Sequence, residues 1–257
     1  MSLNDVYIGI DPTGGKRPFS LAALDDNLRV VALEAADADG AVAFVERWPT
    51  AVVAVDAPQS PNRRLMRRAR VRRAFGLNPH SRTFADWKVC EYELRRRNLR
   101  IYNTPSQPSL SPLWMRVGFE LYRRLLALGF RFFRTGEPVE GRTLLEVHPH
   151  ACYASLLGHR PLPKVDLEGR LQRQMVLYVE GLDLANPLHV LEEISRHHIL
   201  SGELPLEGLH HHDELDALAG AYTAFLVHQK PARVSQVGDP QEGLITIPVG
   251  ALKDHYA

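Results

Sequence analysis

The run Ala51-Val52-Val53-Ala54-Val55 is the feature that most restricts how this chain can fold. Three of its five apolar residues are β-branched, and no polar residue interrupts it. Such a run is typical of a strand that is buried on both faces. A strand of this kind needs a layer of helices on each side of its sheet, which indicates an α/β fold. A chain of 257 residues is long enough to bury such a core without disulfides.

The patterns on either side of this strand predict the remaining elements. Three strands precede it as a meander, at residues 6–10, 18–24 and 29–34. Two further strands follow, at residues 143–147 and 243–249. Helices are predicted at residues 39–48, 114–128, 151–157, 167–179, 187–200 and 213–227. This order predicts a mixed sheet, within a single domain spanning residues 1–257, that is covered by helices on both faces.

Residues 61–140 follow the buried strand and are interpreted as a basic, largely helical insertion. Its first forty residues hold thirteen basic side chains against three acidic ones, whereas the whole chain carries a net charge of only +1. Arginine predominates, and its planar guanidinium matches phosphate oxygens. We therefore expect this segment and one lysine to bind a nucleic-acid backbone. The predicted contacts are Lys16, Arg63, Arg64, Arg67, Arg68, Arg72, Arg73, Arg95, Arg96 and Arg97. The alternative is a solvated helical face that pairs with acidic residues elsewhere.

Carboxylates stand where several predicted elements end or begin. Asp11 and Asp56 directly follow the first and the fourth strand, and ligands gather beyond the carboxyl ends of strands in open α/β sheets. Asp213 and Asp216 lie three residues apart, on one face of the last helix. Small residues at Ala217 and in the next turn extend that face, so this helix is expected to lie close against the sheet. Asp11 and Asp56 are expected to converge if the first and the fourth strand are parallel and adjacent.

Converging carboxylates repel one another and require cations, and Mg²⁺ prefers oxygen ligands. Each acid also has a structural explanation. Asp11 and Asp56 can start turns, and Asp213 can cap the last helix. Glu146, between apolar neighbours in a strand, is either a buried structural acid or a ligand.

Several motifs together resemble the RNase H-like superfamily, and RuvC-type Holliday junction resolvases in particular. Gly9-Ile10-Asp11-Pro12-Thr13-Gly14 is similar to the first strand of that superfamily. His212-Asp213-Glu214-Leu215-Asp216 with the following Ala-Leu-Ala resembles the terminal helix of the resolvases. Residues 53–58, 145–149 and 242–248 resemble an uncharacterised family more closely, namely domain of unknown function number 429, whose members are predicted nucleases.

The resemblance implies a five-stranded mixed sheet whose second strand is antiparallel to the others. It implies a metal-dependent nuclease that uses Mg²⁺ or Mn²⁺, in which the metal is held by Asp11, Asp56 and Asp216. Asp213 and Glu146 complete the expected set of catalytic carboxylates. One departure is that RuvC-type enzymes usually carry Glu where this chain has Asp56. A dimer is expected by the same analogy.

Two other functions remain open. Residues 13–16 form a glycine-bearing turn with a lysine after a strand, which is suited to phosphate and suggests an actin-like phosphotransferase. Such proteins contain two copies of the core, however, and one set of motifs is present here. The other alternative is a nucleic-acid-binding protein without catalysis.

Three histidines at residues 210–212 precede the last helix and indicate either a polar loop or a transition-metal site. His148 and His150 are candidates for a proton shuttle or for packing. The two cysteines exclude a disulfide scaffold. No apolar run reaches the length of a membrane span, and the first residues do not resemble a signal peptide. A cytoplasmic protein is therefore expected.

Overall fold

The computed structural model describes residues 5–13 and 17–257. The strands in this part of the chain are β1 (Val6–Asp11), β2 (Phe19–Leu24), β3 (Val30–Ala36), β4 (Ala51–Val55), β5 (Arg131–Phe132), β6 (Arg142–Glu146), β7 (Ser235–Asp239) and β8 (Gly243–Ile247). The α-helices are α1 (Ala38–Glu46), α2 (Ala69–Ala74), α3 (Val89–Arg96), α4 (Leu113–Ala127), α5 (Pro149–Leu157), α6 (Leu167–Val179), α7 (Pro187–Ser201) and α8 (His212–Gln229).

All eight strands belong to one mixed sheet, in the order β3-β2-β1-β4-β6-β8-β7, with β5 also paired to β6. Strand β2 runs antiparallel to β1 and to β3, whereas β1, β4, β6 and β8 are mutually parallel. The carboxyl ends of β1 and β4 therefore lie side by side at one edge of the sheet. Residue Asp56, directly after β4, donates its backbone N–H to the carbonyl of Ile10 at 2.9 Å.

The predicted mixed α/β sheet with helices on both faces is confirmed, but the number of five strands is wrong. β5 and β8 both pair with β6, at opposite halves of its length, and β7 extends the sheet beyond β8. The sheet therefore continues past the five strands that the resemblance implied. The interpretation of residues 61–140 as largely helical is also wrong, because α2, α3 and α4, with 6, 8 and 15 residues, cover less than half of it.

Two apolar clusters fill the space on the two faces of the sheet. One contains Val52 and Ala54 of β4 and packs against α8, α5 and α6. The other contains Val53 and Val55 and packs against α1 and α4. Successive side chains of a strand point to opposite faces, so the uninterrupted apolar run of β4 supplies both clusters. This arrangement confirms the strand that is buried on both sides.

Helix α8 lies in direct contact with the backbone of β1. A Cβ atom at Gly9 would stand 1.8 Å from the carbonyl oxygen of Ala217, so no side chain fits there. Gly220 faces the same point, and its Cβ would come within 3.4 Å of the Cα of Gly9. The predicted close approach is confirmed. The helix is buried on all sides from Leu215 to Val227 rather than along one stripe.

None of the helices in residues 5–13 and 17–257 combines the length and the apolar character that crossing a membrane requires.

Candidate functional site

Three carboxylates from opposite ends of the sequence meet at the edge of the sheet. Asp11 is the last residue of β1, and Asp213 and Asp216 lie in the first turns of α8. One oxygen of each lies within 4.8 Å of an oxygen of the other two, and all three residues are buried. The contact between Gly9 and α8 produces this convergence, because it holds the start of the helix beside the end of the strand.

Asp56 lies next to this group but is not part of it. It is half-buried, and its charge raises the pKa of both Asp11 and Asp216. Asp56 therefore lines the cleft beside the three carboxylates, whereas Asp213, which was expected to have a supporting role, belongs to them. Of the three residues predicted to hold the metal, the structure therefore brings Asp11 and Asp216 together, with Asp56 beside them.

Two cations contact the acids. The Nζ of Lys164 lies 2.6 Å from Asp216 and 3.8 Å from Asp213, and the guanidinium of Arg17 lies 2.9 Å from Asp213. Within residues 5–13 and 17–257, the four carboxylates therefore outnumber the cations that contact them, which leaves an excess of negative charge. Burial, together with the charges of its acidic neighbours, raises the pKa of Asp11 well above its usual range.

The pKa of Asp216 shows the same excess of negative charge. Burial raises it to about 6, although the charge of Lys164 opposes the shift. Additional positive charge at this site would therefore favour the ionised forms of Asp11 and Asp216.

The residues of the cluster fit a divalent cation. The donor set is three carboxylates, which are hard oxygen ligands of the kind that Mg²⁺ and Mn²⁺ take. The like charges that raise the pKa of Asp11 are those that a cation would neutralise. Asp11, Asp213 and Asp216 are the residues that would hold such an ion.

His148 faces Asp56 from the start of α5. Its Nδ1 lies 3.8 Å from a carboxylate oxygen of Asp56, and its Nε2 lies 2.9 Å from the carbonyl oxygen of Arg100. Burial lowers the pKa of His148, but the neighbouring Asp56 outweighs this effect, so the net shift is upward. The bond to the carbonyl requires a proton on Nε2, which leaves Nδ1 available on the side of the carboxylate.

Glu146 stands apart from these acids. Glu146 pairs in register with Val55, so Asp56 is level with the next residue, Val147. Successive residues of a strand face opposite sides of the sheet, and the side chains of Glu146 and Asp56 therefore point to different faces. The carboxylate of Glu146 accepts the backbone N–H of Gln59 at 3.0 Å and the hydroxyl of Tyr102 at 3.2 Å. Burial raises its pKa to about 7. The structure therefore places Glu146 as a buried, hydrogen-bonded acid on the other face of the sheet.

The structure does not support the alternative that Asp213 caps the last helix. The N-cap is His211, whose ring accepts from the N–H of Asp213, and Glu214 completes a capping box. Asp213 is therefore not the cap, and its carboxylate contacts Arg17 and the ring of His212, whose Nδ1 lies 2.7 Å from it. Of the three consecutive histidines, His211 and His212 also form a group with Asp213 that is compact enough for a metal.

The nine arginines predicted as nucleic-acid contacts do not line the cleft that contains the acids. Arg72 is buried, and its guanidinium donates to the carbonyls of Asn78, Met66 and Thr83. The remaining members lie on the surface or form local contacts. Arg67 pairs with Asp86, Arg97 pairs with Glu93, Arg64 donates to Ser106, Arg96 covers the ring of Phe75, and Arg63, Arg68, Arg73 and Arg95 are exposed.

Lys16 lies outside the described residues. The cleft instead contains Arg17, Arg100, Arg160, Lys164 and Arg173. The sequence analysis named none of these five as an individual contact, although Arg100 belongs to the basic segment that was expected to bind nucleic acid. Lys164 follows a proline-rich loop that connects α5 with α6, and no pattern in that loop indicates a cation directed at the acids.

A comparison with known families accounts for most of the chain. The sequence profile described as Protein of unknown function (DUF429) matches residues 9–242. The chain belongs to the DUF429 family. The match begins in β1 and extends beyond α8, so the DUF429 region includes every carboxylate described above. No curated protein and no solved structure matches the chain.

Proposed function

We propose that this DUF429 protein is a metal-dependent nuclease with an RNase H-like core, which hydrolyses phosphodiester bonds in DNA or RNA. The observation that carries the proposal is the convergence of Asp11, Asp213 and Asp216 within 4.8 Å of one another, at the carboxyl end of β1. Buried carboxylates with raised pKa values that line a cleft are typical of catalytic sites rather than of solvated surfaces.

The topology supports the RNase H-like part of the proposal. Within β1, β2, β3, β4 and β6, only β2 is antiparallel to the other four. This is the arrangement that the sequence resemblance implies. In this interpretation β5, β7 and β8 are additions to the edge of the core beyond β6.

The residues of the site have distinct roles in the proposal. Asp11, Asp213 and Asp216 hold Mg²⁺ or Mn²⁺, and Asp56 occupies the adjoining part of the cleft. When bound, such an ion supplies Lewis-acid chemistry, which activates water and offsets the charge that develops on the phosphate. His148 exchanges a proton at Nδ1, the ring nitrogen that faces Asp56.

One observation favours a different function, a nucleic-acid-binding protein without catalysis. Lys164 lies 2.6 Å from Asp216 and already supplies positive charge to the acids. A lysine in this position can stabilise a purely structural group of carboxylates. In the proposed nuclease, the same lysine holds Asp216 ionised and leaves Asp11 for the metal.

The test is cleavage of labelled single-stranded and duplex DNA and RNA with Mg²⁺, with Mn²⁺ and with EDTA. Asp11→Asn is expected to lower the rate by at least about 10³-fold, a loss typical of removing a principal electrostatic contact. Asp39→Asn is the control, because Asp39 is an exposed carboxylate of α1 that pairs with Arg124. Equal cleavage by Asp11→Asn and the wild type would refute the nuclease assignment to this site.

A further inference from the structure

A second part of the cleft lies beside the acids and has the opposite charge. It is a cavity of about 950 Å³, and Asp56 and Asp216 line it together with Arg100, Arg160 and Arg173. Cavities that bind small organic ligands typically have volumes of about 300–1,000 Å³. The cavity therefore has room for chemical groups that flank the one held by the acids.

The three arginines differ in how far the protein itself satisfies them. Arg173 is buried, and its guanidinium donates to the carbonyls of Leu162 and Gly169, at 2.9 Å each. Arg100 and Arg160 are exposed. Within residues 5–13 and 17–257, neither of them forms an ion pair or a side-chain hydrogen bond. Two guanidinium groups thus face the cavity with their donors unused.

The pKa of His150 reflects the combined positive charge of the arginines that line the cavity. Burial, together with the charges of His148, Arg173, Arg100 and Arg160, lowers its pKa to about 4. Its Nε2 is buried, and it has no hydrogen-bond partner in the described part of the chain. The ring is therefore neutral at pH 7, in a field that favours an anion, and it has one polar atom unsatisfied.

We propose that Arg100 and Arg160 form a phosphate subsite, which binds a phosphate group of the substrate next to the one held at the acids. The planar donor fork of arginine binds phosphate through two parallel hydrogen bonds. This inference rests on the proposed function and makes it more specific, because the substrate then carries at least two neighbouring phosphates. A nucleic-acid strand meets that requirement, and a simple monoester does not.

The subsite also changes how the basic segment contributes to binding. Arg100 is the last of the thirteen basic residues in the first forty positions of the segment, and it reaches the cavity. None of the nine predicted arginine contacts, all of which lie within the described residues, lines it. Arg160 comes from the loop after α5, about sixty residues later in the chain. The subsite is thus assembled from two loops and not from the densest part of the segment.

Binding of a fluorescein-labelled twelve-nucleotide single strand, followed by anisotropy in EDTA, tests the subsite without cleavage. The double variant R100Q/R160Q is expected to bind at least about tenfold more weakly. The salt dependence of its log K is expected to be shallower by about 0.7, because the subsite contacts one phosphate and each lost phosphate contact to a single strand contributes about 0.7. R196Q is the control, since Arg196 is exposed on α7 and pairs with Glu192. Wild-type affinity in the double variant would overturn the proposal, as would the absence of binding by the wild type.

Inorganic phosphate as a competitor identifies which source of phosphate is bound. Displacement of the strand by millimolar phosphate, lost in R100Q/R160Q, would support a subsite that takes a free or terminal phosphate. Binding that phosphate does not displace, but that still needs both arginines, would support recognition within the strand.

The subsite and the nuclease assignment can fail separately. Binding that depends on Arg100 and Arg160, without cleavage under any metal, would refute only the proposed function. Metal-dependent cleavage with an unchanged KM in R100Q/R160Q would refute only the subsite.

Discussion

Two groups of acids lie near the same edge of the sheet, and they differ in whether their carboxylates accept hydrogen bonds from the backbone. Glu91, Glu146 and Glu242 are fully buried, and their carboxylates accept backbone N–H groups from Lys88, Thr104, Gln59, Arg63 and Val89. Among the described residues, the side chains of Asp11, Asp56 and Asp216 accept no backbone N–H. A carboxylate satisfied by backbone donors is a structural element, whereas an unsatisfied one retains its capacity to bind a ligand.

The contrast explains why acids of the same charge serve different purposes. Glu242 joins three segments by accepting from the N–H groups of Arg63, Leu65 and Val89. It thereby ties the irregular chain after β4 to the turn between β7 and β8. In the part of the chain that the structure describes, the carboxylates at the cleft join no segments through backbone N–H groups, and their main contacts are the side-chain cations Lys164 and Arg17.

The largest expected effect concerns Glu242. Replacement by Ala leaves two buried N–H groups and one half-buried N–H group without an acceptor. At roughly 1–3 kcal/mol for each unsatisfied buried group, we expect a loss of about 4 kcal/mol in the free energy of unfolding. Urea denaturation measures it, with Gln241→Ala as the control at an exposed neighbouring position. A loss below about 1 kcal/mol would mean that the buried acids are not structural and would break the comparison.

Glu146 gives a pH dependence whose sign follows from its raised pKa. The folded protein keeps this proton up to pH of about 7, whereas the unfolded chain releases it near 4.5. Its contribution to stability is therefore present below pH 4.5 and is lost as the pH rises to 7, by roughly 3 kcal/mol at 1.36 kcal/mol per pH unit. Glu146→Gln should thus become progressively more stable than the wild type over that interval. A difference that is constant between pH 4.5 and 8 would contradict the assignment.

Asp11 is expected to respond in the opposite direction to Glu242. In EDTA at pH 8, Asp11→Asn removes a like charge and breaks no backbone hydrogen bond among residues 5–13 and 17–257, so it should raise the free energy of unfolding by roughly 1 kcal/mol. The same variant should lose the increase in melting temperature that Mn²⁺ gives the wild type. Differential scanning fluorimetry with and without Mn²⁺ follows both effects through the melting temperature. The control Asp39→Asn should change the free energy of unfolding by no more than about 0.5 kcal/mol and should keep the wild-type response to Mn²⁺. A destabilised Asp11→Asn would place this residue with the structural acids.

The smallest effect is expected at the surface of the basic segment. Arg67 and Asp86 form an exposed ion pair, and such pairs contribute about 0–1 kcal/mol. Arg67→Gln should therefore change the free energy of unfolding by less than about 0.5 kcal/mol in urea denaturation. A loss of several kcal/mol would show that the arginine has a structural role like that of the buried acids.

Most of the fold was predictable because its strands and helices have strong periodic patterns. The sequence predicted β1, β2, β3, β4, β6 and β8 and every helix longer than eight residues. β7 was missed because its residues Ser235–Asp239 are mostly half-exposed and polar, as an edge strand permits. β5 contains only two residues, which is too short for any pattern.

The candidate site was predictable only where it depends on the ends of regular elements. Asp11, Asp56 and the two acids of α8 follow from the end of a strand or the start of a helix. Lys164, Arg100 and Arg160 come from loops, whose paths are set by tertiary packing and not by local sequence. The sequence left Glu146 open between a structural acid and a ligand because its register with Val55, which determines the face of the sheet, is not visible in one sequence.

The contact between β1 and α8 also determines when the site can exist. Asp11 leaves the ribosome about two hundred residues before Asp216. Because chains emerge from their N-terminus, the nascent protein carries β1 without the helix that completes the cleft while all the residues between them are being made. The carboxylates therefore meet only after α8 has been synthesised and has docked on β1.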